Sequence, residues 1–253
     1  MKVVIIGTGN VATVLGRIFK KTNFTIIQVF GRNIDNASSL AAELDSVSCC
    51  EWNNIDKEAD IYLVALADIA LYDLHTHLNL SKQLVFHTAG AVSMDVLKNI
   101  SVNYGVLYPL QSLRKEMAVL TEIPFLVEGN NEYTTQAIWK VANLLSSNVS
   151  AIKEEARFKL HVAAIFINNF TNHLYTLTED YCNKEALDFN LLLPLALETA
   201  KRLKWISPRQ AATGPAMRKD EVTINKHLAM LKAYPDIQKI YRQITESIVT
   251  ING

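Results

Sequence analysis

The chain has 253 residues, enough for one large domain or two modest ones with a buried core. Apolar residues make up 49% of it and charged residues 20%, the composition of an ordinary soluble globular protein. Its 25 basic residues equal its 25 acidic residues in number. This balance argues against a nucleic-acid-binding face or a membrane-surface patch.

Cysteine and histidine usage is sparse. The three cysteines, Cys49, Cys50 and Cys182, are too few for a disulfide framework and form no C-x-x-C pair. The six histidines are scattered, so we expect no metal site. The opening apolar run, Val3 to Ile6, is too short for a signal peptide or a membrane span. We therefore expect a cytoplasmic protein.

The first 110 residues alternate predicted strands with predicted helices. The apolar, β-branched runs that predict strands are KVVIIG, FTIIQVFG, DIYLVAL, QLVFHTAG and VNYGVLYP. Helices are predicted at about 10–20, 35–44 and 69–78. This alternation predicts a Rossmann-type α/β fold, a doubly wound parallel sheet that binds ligands beyond the carboxyl ends of its strands.

The first strand runs into GTGNVA, a glycine-rich loop that opens a helix. Gly7 allows a tight turn, Gly9 lets the backbone approach a pyrophosphate, and Ala12 lets helix and strand pack closely. The helix N-terminus would then face the phosphates with free N–H groups. Because the loop follows a strand and precedes a helix, it predicts a dinucleotide site. The cofactor-binding candidates in the loop are Gly7, Thr8, Gly9, Asn10 and Val11.

The end of the second strand carries no acid. An acid about 20 residues after the loop would hold the ribose hydroxyls of NAD, but this chain has Gly31, Arg32 and Asn33 there. The guanidinium of Arg32 matches the oxygens of a 2′-phosphate, and Asn33 can add a hydrogen bond. The pattern predicts NADP as the cofactor. The alternative is a solvated arginine at a strand end.

Two further strand ends supply candidates. Ala67 and Asp68 follow DIYLVAL; Ala67 is placed where the chain would pass the adenosine, and Asp68 is expected to cap the next helix. His87, Thr88 and Gly90 belong to QLVFHTAG, where small residues after a histidine suit the nicotinamide end of the groove. A hydrogen-bonded structural role for His87 is equally compatible with the sequence.

The pattern changes after residue 130. IPFLVEG predicts another strand, 131–147 a helix and VSAI a short strand. From Glu154 to Tyr181 there is no glycine or proline, and apolar residues recur at spacings of three and four, which predicts one long helix. The predicted domains are therefore 1–152, binding NADP, and 153–253, all helical and providing the substrate cleft and a dimer interface.

The long helix carries a second, polar stripe. It contains the substrate-binding candidate Arg157 and the catalytic candidates His161 and Asn168. Asparagine is a poor helix former, so the sequence INNFTN in mid-helix needs an explanation. Either the stripe is a solvated face or it lines a cleft and offers hydrogen bonds to a substrate.

A third unusual stretch is ATGPAMRKDEVTINKHL. Gly214 and Pro215 predict a turn, and Asp220 is placed to cap a helix that starts at residue 221. Arg218 and His227 are the substrate-binding candidates here, with Arg218 free to take an anion such as a carboxylate. A turn, a cap and a solvated arginine would explain the same residues.

These motifs carry a family resemblance. GTGNVA with Arg32 resembles the NADP-binding domain of the pyrroline-5-carboxylate reductase and 6-phosphogluconate dehydrogenase superfamily. Over nearly the whole chain, FHTAGAVSMDVL, GVLYPLQSL, ARFKLHVAAIFINNF and TGPAMRKDEVTINKHL resemble an uncharacterised bacterial family of NADP oxidoreductases. The resemblance implies a Rossmann-like domain, a helical C-terminal domain of unknown function, NADP as cofactor and a homodimer.

One family mechanism does not transfer. The related β-hydroxyacid dehydrogenases use a lysine four residues before an asparagine, and Lys159 has no asparagine four residues later. We expect NADP-dependent hydride transfer to or from a small carbonyl, imine or hydroxy substrate, in a cleft between the domains, with His87 or His161 as acid or base. The alternative is a non-catalytic protein that binds NADPH and reports its level.

Overall fold

The computed structural model describes residues 1–117 and 122–252. The chain forms two compact units, Met1–Asn168 and Asn169–Gly253. The division falls later than the predicted one at residue 152. The reason is that the helix following residue 153 packs on the first unit through Arg157 and His161.

The first unit is built on an eight-stranded sheet. Its strands are β1 Lys2–Ile6, β2 Thr25–Phe30, β3 Val47–Cys49, β4 Ile61–Val64, β5 Leu84–His87, β6 Asn103–Pro109, β7 Phe125–Gly129 and β8 Val149–Ala151. Their order across the sheet is β3-β2-β1-β4-β5-β6-β7-β8, and every pair is parallel except β6 with β7.

Helices cover both faces of this sheet. They are α1 Asn10–Lys20, α2 Ile34–Glu43, α3 Asp68–Leu71, α4 Glu132–Leu145 and α5 Glu154–Ala164, with 3₁₀ turns at Trp52–Asn54, Leu74–Thr76 and Met94–Leu97. Alternate residues of β1 enter two separate cores: Val3 and Ile5 pack on one face of the sheet, Val4 and Ile6 on the other. Burial on both faces explains why the strand sequence is continuously apolar.

The predicted fold class is confirmed, with differences in detail. β3 was not predicted, since three residues of mixed polarity carry little periodic signal. The predicted helix at 69–78 forms only as α3 and a 3₁₀ turn. Asp68 is the first residue of α3, whose N-cap is Ala67, so its side chain does not make the expected cap.

The predicted long helix is interrupted. α5 is followed by a π-helical segment, Ile165–Phe170, and then by α6 Thr171–Lys184. The π segment contains the INNF sequence that is unusual for a helix interior. Because a π turn takes more residues than the roughly 3.6 of an α turn, the spacing from which the polar stripe was predicted does not hold in this segment, which contains Asn168.

The regular structure in the described residues of the second unit is all helical. Besides α6 it contains α7 Leu193–Arg202, α8 Pro208–Ala211, α9 Glu221–Met230 and α10 Pro235–Asn252, with 3₁₀ turns at Phe189–Leu192 and Leu231–Ala233. As predicted, Asp220 caps α9 by accepting a hydrogen bond from the Thr223 amide at 3.0 Å. Among the described helices, none is both long and apolar enough to cross a bilayer.

Candidate functional site

The carboxyl ends of five parallel strands meet at one edge of the sheet. β2, β1, β4, β5 and β6 are consecutive neighbours, all parallel. Backbone hydrogen bonds continue past their ends: the amide of Gly7 donates to Phe30, that of Ala65 to Ile6, and that of Thr88 to Val64. The predicted cofactor residues therefore lie beside one another along this edge.

The glycine loop has the geometry that its sequence predicts. Gly7 has a φ of +127°, and a Cβ there would lie 2.2 Å from the carbonyl oxygen of Ala65. No side chain fits that position. Gly9 is the N-cap of α1 and is exposed, with no atom within 4 Å of the place where a Cβ would stand. The first glycine is required by the fold, while the second keeps space open above the helix.

The N-terminus of α1 suits an anion. No side chain caps it, and its first turn contains no acidic residue. The N–H groups of this turn have no partner within the helix and carry its positive dipole end. Thr8 and Val11 are half-buried beside this opening, and Asn10 accepts a hydrogen bond from the amide of Lys115 at 3.2 Å. These residues fit the pyrophosphate of a dinucleotide.

Arg32 lies immediately beyond the loop. A Cβ on Gly31 would come within 2.6 Å of the Thr8 methyl group, so the end of β2 packs directly against the glycine loop. Arg32 is exposed, and no described residue pairs with its guanidinium. Asn33 caps α2 through the Asn36 amide at 2.9 Å, which leaves its Nδ2 group as a donor. Two polar groups thus stand where a ribose phosphate would lie.

The ends of β4 and β5 complete the edge. Ala67 is exposed between β4 and α3, whereas Thr88 and Gly90 are buried after β5. Both segments thus carry small residues at the carboxyl ends of their strands. Among the described residues, no cluster of three or more histidine, cysteine or carboxylate side chains stands close enough to hold a metal ion.

His87 is fully buried, and both of its ring nitrogens are engaged. Nδ1 accepts a hydrogen bond from the Ala89 amide at 3.2 Å, so Nε2 carries the proton and donates to the Ser93 carbonyl at 3.3 Å. Burial, aided by the charge of Arg157, lowers the pKa of His87 to about 3. The ring is neutral at physiological pH. Its geometry favours the structural alternative over the acid or base role.

Arg157 holds the segment that follows β5. Its side chain is fully buried, and Nη1 donates to the carbonyl oxygens of Ala89, Gly90 and Val92 at 3.1, 2.9 and 2.9 Å. This differs from the predicted contact with a substrate. The guanidinium fixes the loop that carries Gly90 instead, and it also explains why α5 belongs to the first unit.

Two carboxylates lie near the same guanidinium. Nη2 of Arg157 is 3.9 Å from Glu128 Oε2 and 3.7 Å from Glu154 Oε2, outside hydrogen-bonding range. Burial lowers the pKa of Arg157. Burial also raises the pKa of Glu128, despite a backbone hydrogen bond from Glu154 and the positive charge nearby. The guanidinium and the two carboxylates thus lie near one another without close pairing.

A tyrosine that the sequence did not single out joins the site. Tyr108, near the end of β6, is hydrogen-bonded through its hydroxyl to His161 Nδ1 at 3.0 Å. A Cβ on Gly90 would lie 2.5 Å from that nitrogen, so the pair packs directly on the loop held by Arg157. Burial raises the pKa of Tyr108, so its hydroxyl keeps its proton. The sequence feature that could have identified Tyr108 is its position near the carboxyl end of a predicted strand.

Three further predicted residues belong to the π segment and to the second unit. Asn168 is exposed in the π segment, at the last position of the first unit. Arg218 and His227 belong to the second unit; Arg218 is exposed, and His227 Nδ1 is 2.9 Å from the hydroxyl of Tyr241. The structure thus brings together His87, Arg157 and His161 with the cofactor candidates, and groups His227 with different neighbours.

Known proteins resemble both parts of the chain. Residues 123–248 match the family described as Domain of unknown function (DUF2520), and residues 1–82 match shikimate / quinate 5-dehydrogenase. No curated protein matches the chain.

Solved structures resemble the whole chain. The "putative NADP oxidoreductase BF3122" from Bacteroides fragilis is 35% identical, with 98% of each chain covered and a TM-score of 0.92. A 1-pyrroline-5-carboxylate reductase from Streptococcus pyogenes is 13% identical, covering 99% of this chain and 98% of its own, with a TM-score of 0.67. A reductive aminase from Aspergillus terreus, in complex with NADPH and ethyl-5-oxohexanoate, is 13% identical over 98% of this chain and 93% of its own, with a TM-score of 0.74.

The similarity to the reductase and the aminase, at 13% identity, concerns the fold alone. The similarity to the Bacteroides fragilis protein, at 35% identity, is high enough to assign the chain to a family. At 35% identity over 98% of each chain, this chain belongs to the same family as the Bacteroides fragilis protein, and its second half matches DUF2520.

Proposed function

We propose that the protein is an NADP-dependent oxidoreductase that transfers a hydride to or from a small carbonyl, imine or hydroxy substrate. The observation that carries this proposal is the glycine loop, with Gly7 locked by the fold and Gly9 open above an uncapped helix N-terminus. The fold shared with a pyrroline-5-carboxylate reductase and a reductive aminase supports the reaction class.

The cofactor residues divide by the part of NADPH that they would hold. Backbone N–H groups from Gly7 to Val11 would bind the pyrophosphate, and Arg32 with Asn33 would bind the 2′-phosphate. Ala67 would border the adenosine, and Thr88 and Gly90 the nicotinamide. NADPH supplies the hydride chemistry, and the protein binds and orients it and provides a proton.

We assign the proton to His161. His161 Nδ1 is held by the Tyr108 hydroxyl at 3.0 Å, and when that hydroxyl donates, the ring proton is on Nε2. His87 remains neutral and supports the loop beneath. Asn168 would hold the substrate oxygen or nitrogen, and Arg218 and His227 remain candidates for the rest of the substrate.

We further propose that the protein is a homodimer formed through its helical unit. Large apolar side chains are exposed there, including Leu191 at 76%, Leu195 at 61% and Trp205 at 75%. Exposed apolar groups at this density mark association surfaces in soluble proteins. A second copy of the chain is the simplest partner, because it is always available and can offer the same apolar surface in return.

The first test is nucleotide affinity. We expect NADPH to bind at least about tenfold more tightly than NADH, about 1.4 kcal/mol, and Arg32→Ala to abolish that preference. Arg242→Ala, an exposed arginine in the second unit, is the matched control and leaves it intact. If neither nucleotide binds, the oxidoreductase proposal is overturned. NADPH binding that changes the oligomeric state, with no turnover of carbonyls or imines, supports the sensor alternative instead.

A further inference from the structure

The helical unit contains a cavity of its own. It has a volume of about 330 Å³ and lies among α6, the turn before α9, α9 itself and α10. This is at the lower end of the range, about 300 to 1,000 Å³, that small-molecule sites occupy. Every residue that lines it belongs to Asn169–Gly253, so the cavity is defined within one unit.

The walls are mainly aliphatic. One wall is a row on α10, Ile237, Ile240, Ile244 and Ile248, whose spacings of three and four put them on one face of the helix. None of the thirteen lining residues is aspartate, glutamate, lysine or arginine. A charged ligand would lose its hydration here without gaining an opposite charge, so the cavity selects against ions.

The opposite wall comes from the motif TGPAMRKDEVTINKHL. Thr213, Pro215, Ala216 and His227 of this motif all line the cavity. Gly214, with a φ of +101°, forms the turn that presents the first three. Asp220 accepts hydrogen bonds from the Thr223 amide and hydroxyl, at 3.0 and 2.7 Å, and thereby fixes where α9 begins. The residues of this unusual motif therefore share one structural role, which is to form part of the cavity wall.

A hydrogen-bonded pair, together with Thr178, Thr213 and Thr245, supplies the polar part of the cavity. His227 Nδ1 and the Tyr241 hydroxyl are 2.9 Å apart, and both side chains line the space. If the tyrosine donates, the histidine keeps its Nε2–H; if the histidine donates, the tyrosine keeps its O–H. Either arrangement leaves one donor of the pair unused, together with an acceptor. A ligand carbonyl can accept a hydrogen bond from that donor.

We propose that this cavity binds a neutral, largely apolar molecule with one carbonyl group, held by the donor of the His227–Tyr241 pair. This binding site does not rest on the proposed function, because none of its residues belongs to the nucleotide edge of the first unit.

The test measures binding to the full chain without nucleotide. Three probes share a cyclohexyl ring: 1-cyclohexylethanone, cyclohexanecarboxylate and cyclohexylmethylamine. We expect the ketone to bind once per chain by calorimetry, with the two ions at least about tenfold weaker. In protein labelled with ¹⁵N-histidine, the ketone is expected to shift the ring signals of His227 and leave those of His161 unchanged.

Two variants locate the binding. Tyr241→Phe removes one hydroxyl with little change in volume, and we expect the ketone to bind about five- to tenfold more weakly. Ile240→Trp fills the cavity, and we expect binding to be lost. Tyr108→Phe makes the same chemical change at the other His–Tyr pair and serves as the control, with ketone affinity unchanged.

The outcomes separate the two proposals. No ketone binding to the wild-type chain, or equal binding to all variants, overturns the cavity proposal while leaving NADPH binding untouched. Ketone binding without any NADPH binding supports the cavity and overturns the proposed function. Carboxylate binding as tight as ketone binding also overturns the cavity proposal, since it contradicts the selection against ions.

Discussion

The two units treat their apolar residues in opposite ways. In Met1–Asn168 the sheet is buried on both faces, and residues such as Ile5, Tyr62 and Phe86 have no exposed surface. Among the described residues of the helical unit, the buried apolar side chains are only Cys182, Ala216, Leu228 and Leu231. The first unit completes its own core. The second leaves many of its large apolar side chains exposed.

Each unit also holds one histidine–tyrosine pair, in contrasting surroundings. Tyr108 and His161 are 3.0 Å apart, beside a loop held by the charged Arg157. His227 and Tyr241 are 2.9 Å apart, among aliphatic side chains. The same chemical pair can therefore serve different purposes. The first stands at the sheet edge that suits a nucleotide, and the second lines a mainly aliphatic cavity.

The largest expected effect tests whether the first unit folds independently. Gly7→Ala would force a methyl group against the Ala65 carbonyl at a φ of +127°, and we expect it to destabilise the first unit by more than about 5 kcal/mol. Hydrogen exchange should lose its protection in residues 1–168 while the helices of the second unit stay protected.

Gly9→Ala is the matched control for this change. A methyl group there meets no atom within 4 Å, so we expect stability within about 1 kcal/mol of wild type but at least about tenfold weaker NADPH binding, since the methyl occupies the space above α1. If Gly7→Ala unfolds both units together, the conclusion that the first unit folds independently of the second is wrong.

The next prediction concerns how stability depends on pH. It distinguishes the two units, because the residue responsible, His87, lies in the first unit. The pKa of His87 falls from 6.5 to about 3 on folding, so between those values the unfolded chain binds more protons. The contribution of His87 to the free energy of unfolding is present above pH 6.5 and is lost as the pH falls toward 3. Across that window the loss amounts to about 5 kcal/mol.

His87→Gln removes this titration. We would measure the free energy of unfolding of the first unit in urea between pH 6.5 and 4.5. In the variant its dependence on pH should be less steep than in the wild type, by up to about 1.4 kcal/mol per pH unit. The free energy of unfolding well above pH 6.5, where the histidine is neutral in both states, is the internal reference for the packing that the substitution removes. An unchanged slope would mean that His87 is not held neutral in the folded protein.

The smallest expected effect concerns the apolar surface of the helical unit. Leu191→Ser combined with Leu195→Ser should weaken dimerisation at least about a hundredfold, near 3 kcal/mol, because each leucine contributes about 1.5 to 3 kcal/mol when buried. Sedimentation velocity over a concentration series measures this. Tyr133→Ser, 74% exposed in the first unit, is the control and should not alter it. A wild-type chain that sediments as a monomer contradicts the dimer.

Local patterns made much of the first unit predictable. β1, β2, β4 and β5 were found from apolar runs, and α1 from its glycine loop, because a doubly wound sheet repeats one short unit with strong local signals. The antiparallel pairing of β6 with β7 was not, since direction depends on the path of the chain between strands. Candidate residues at strand ends were proposed for the same local reason, and Tyr108 was missed because its partner lies 53 residues away.

The sequence by itself determined the fold class, the glycine loop, the basic residue after β2 and the cap at Asp220, because each depends on a few neighbouring residues. Only the tertiary structure decided that His87 is sealed in the interior and that Arg157 faces three backbone carbonyls. It alone revealed the cavity beside His227. The physical reason is that burial and hydrogen-bond partners depend on residues distant in the chain, which only packing brings together.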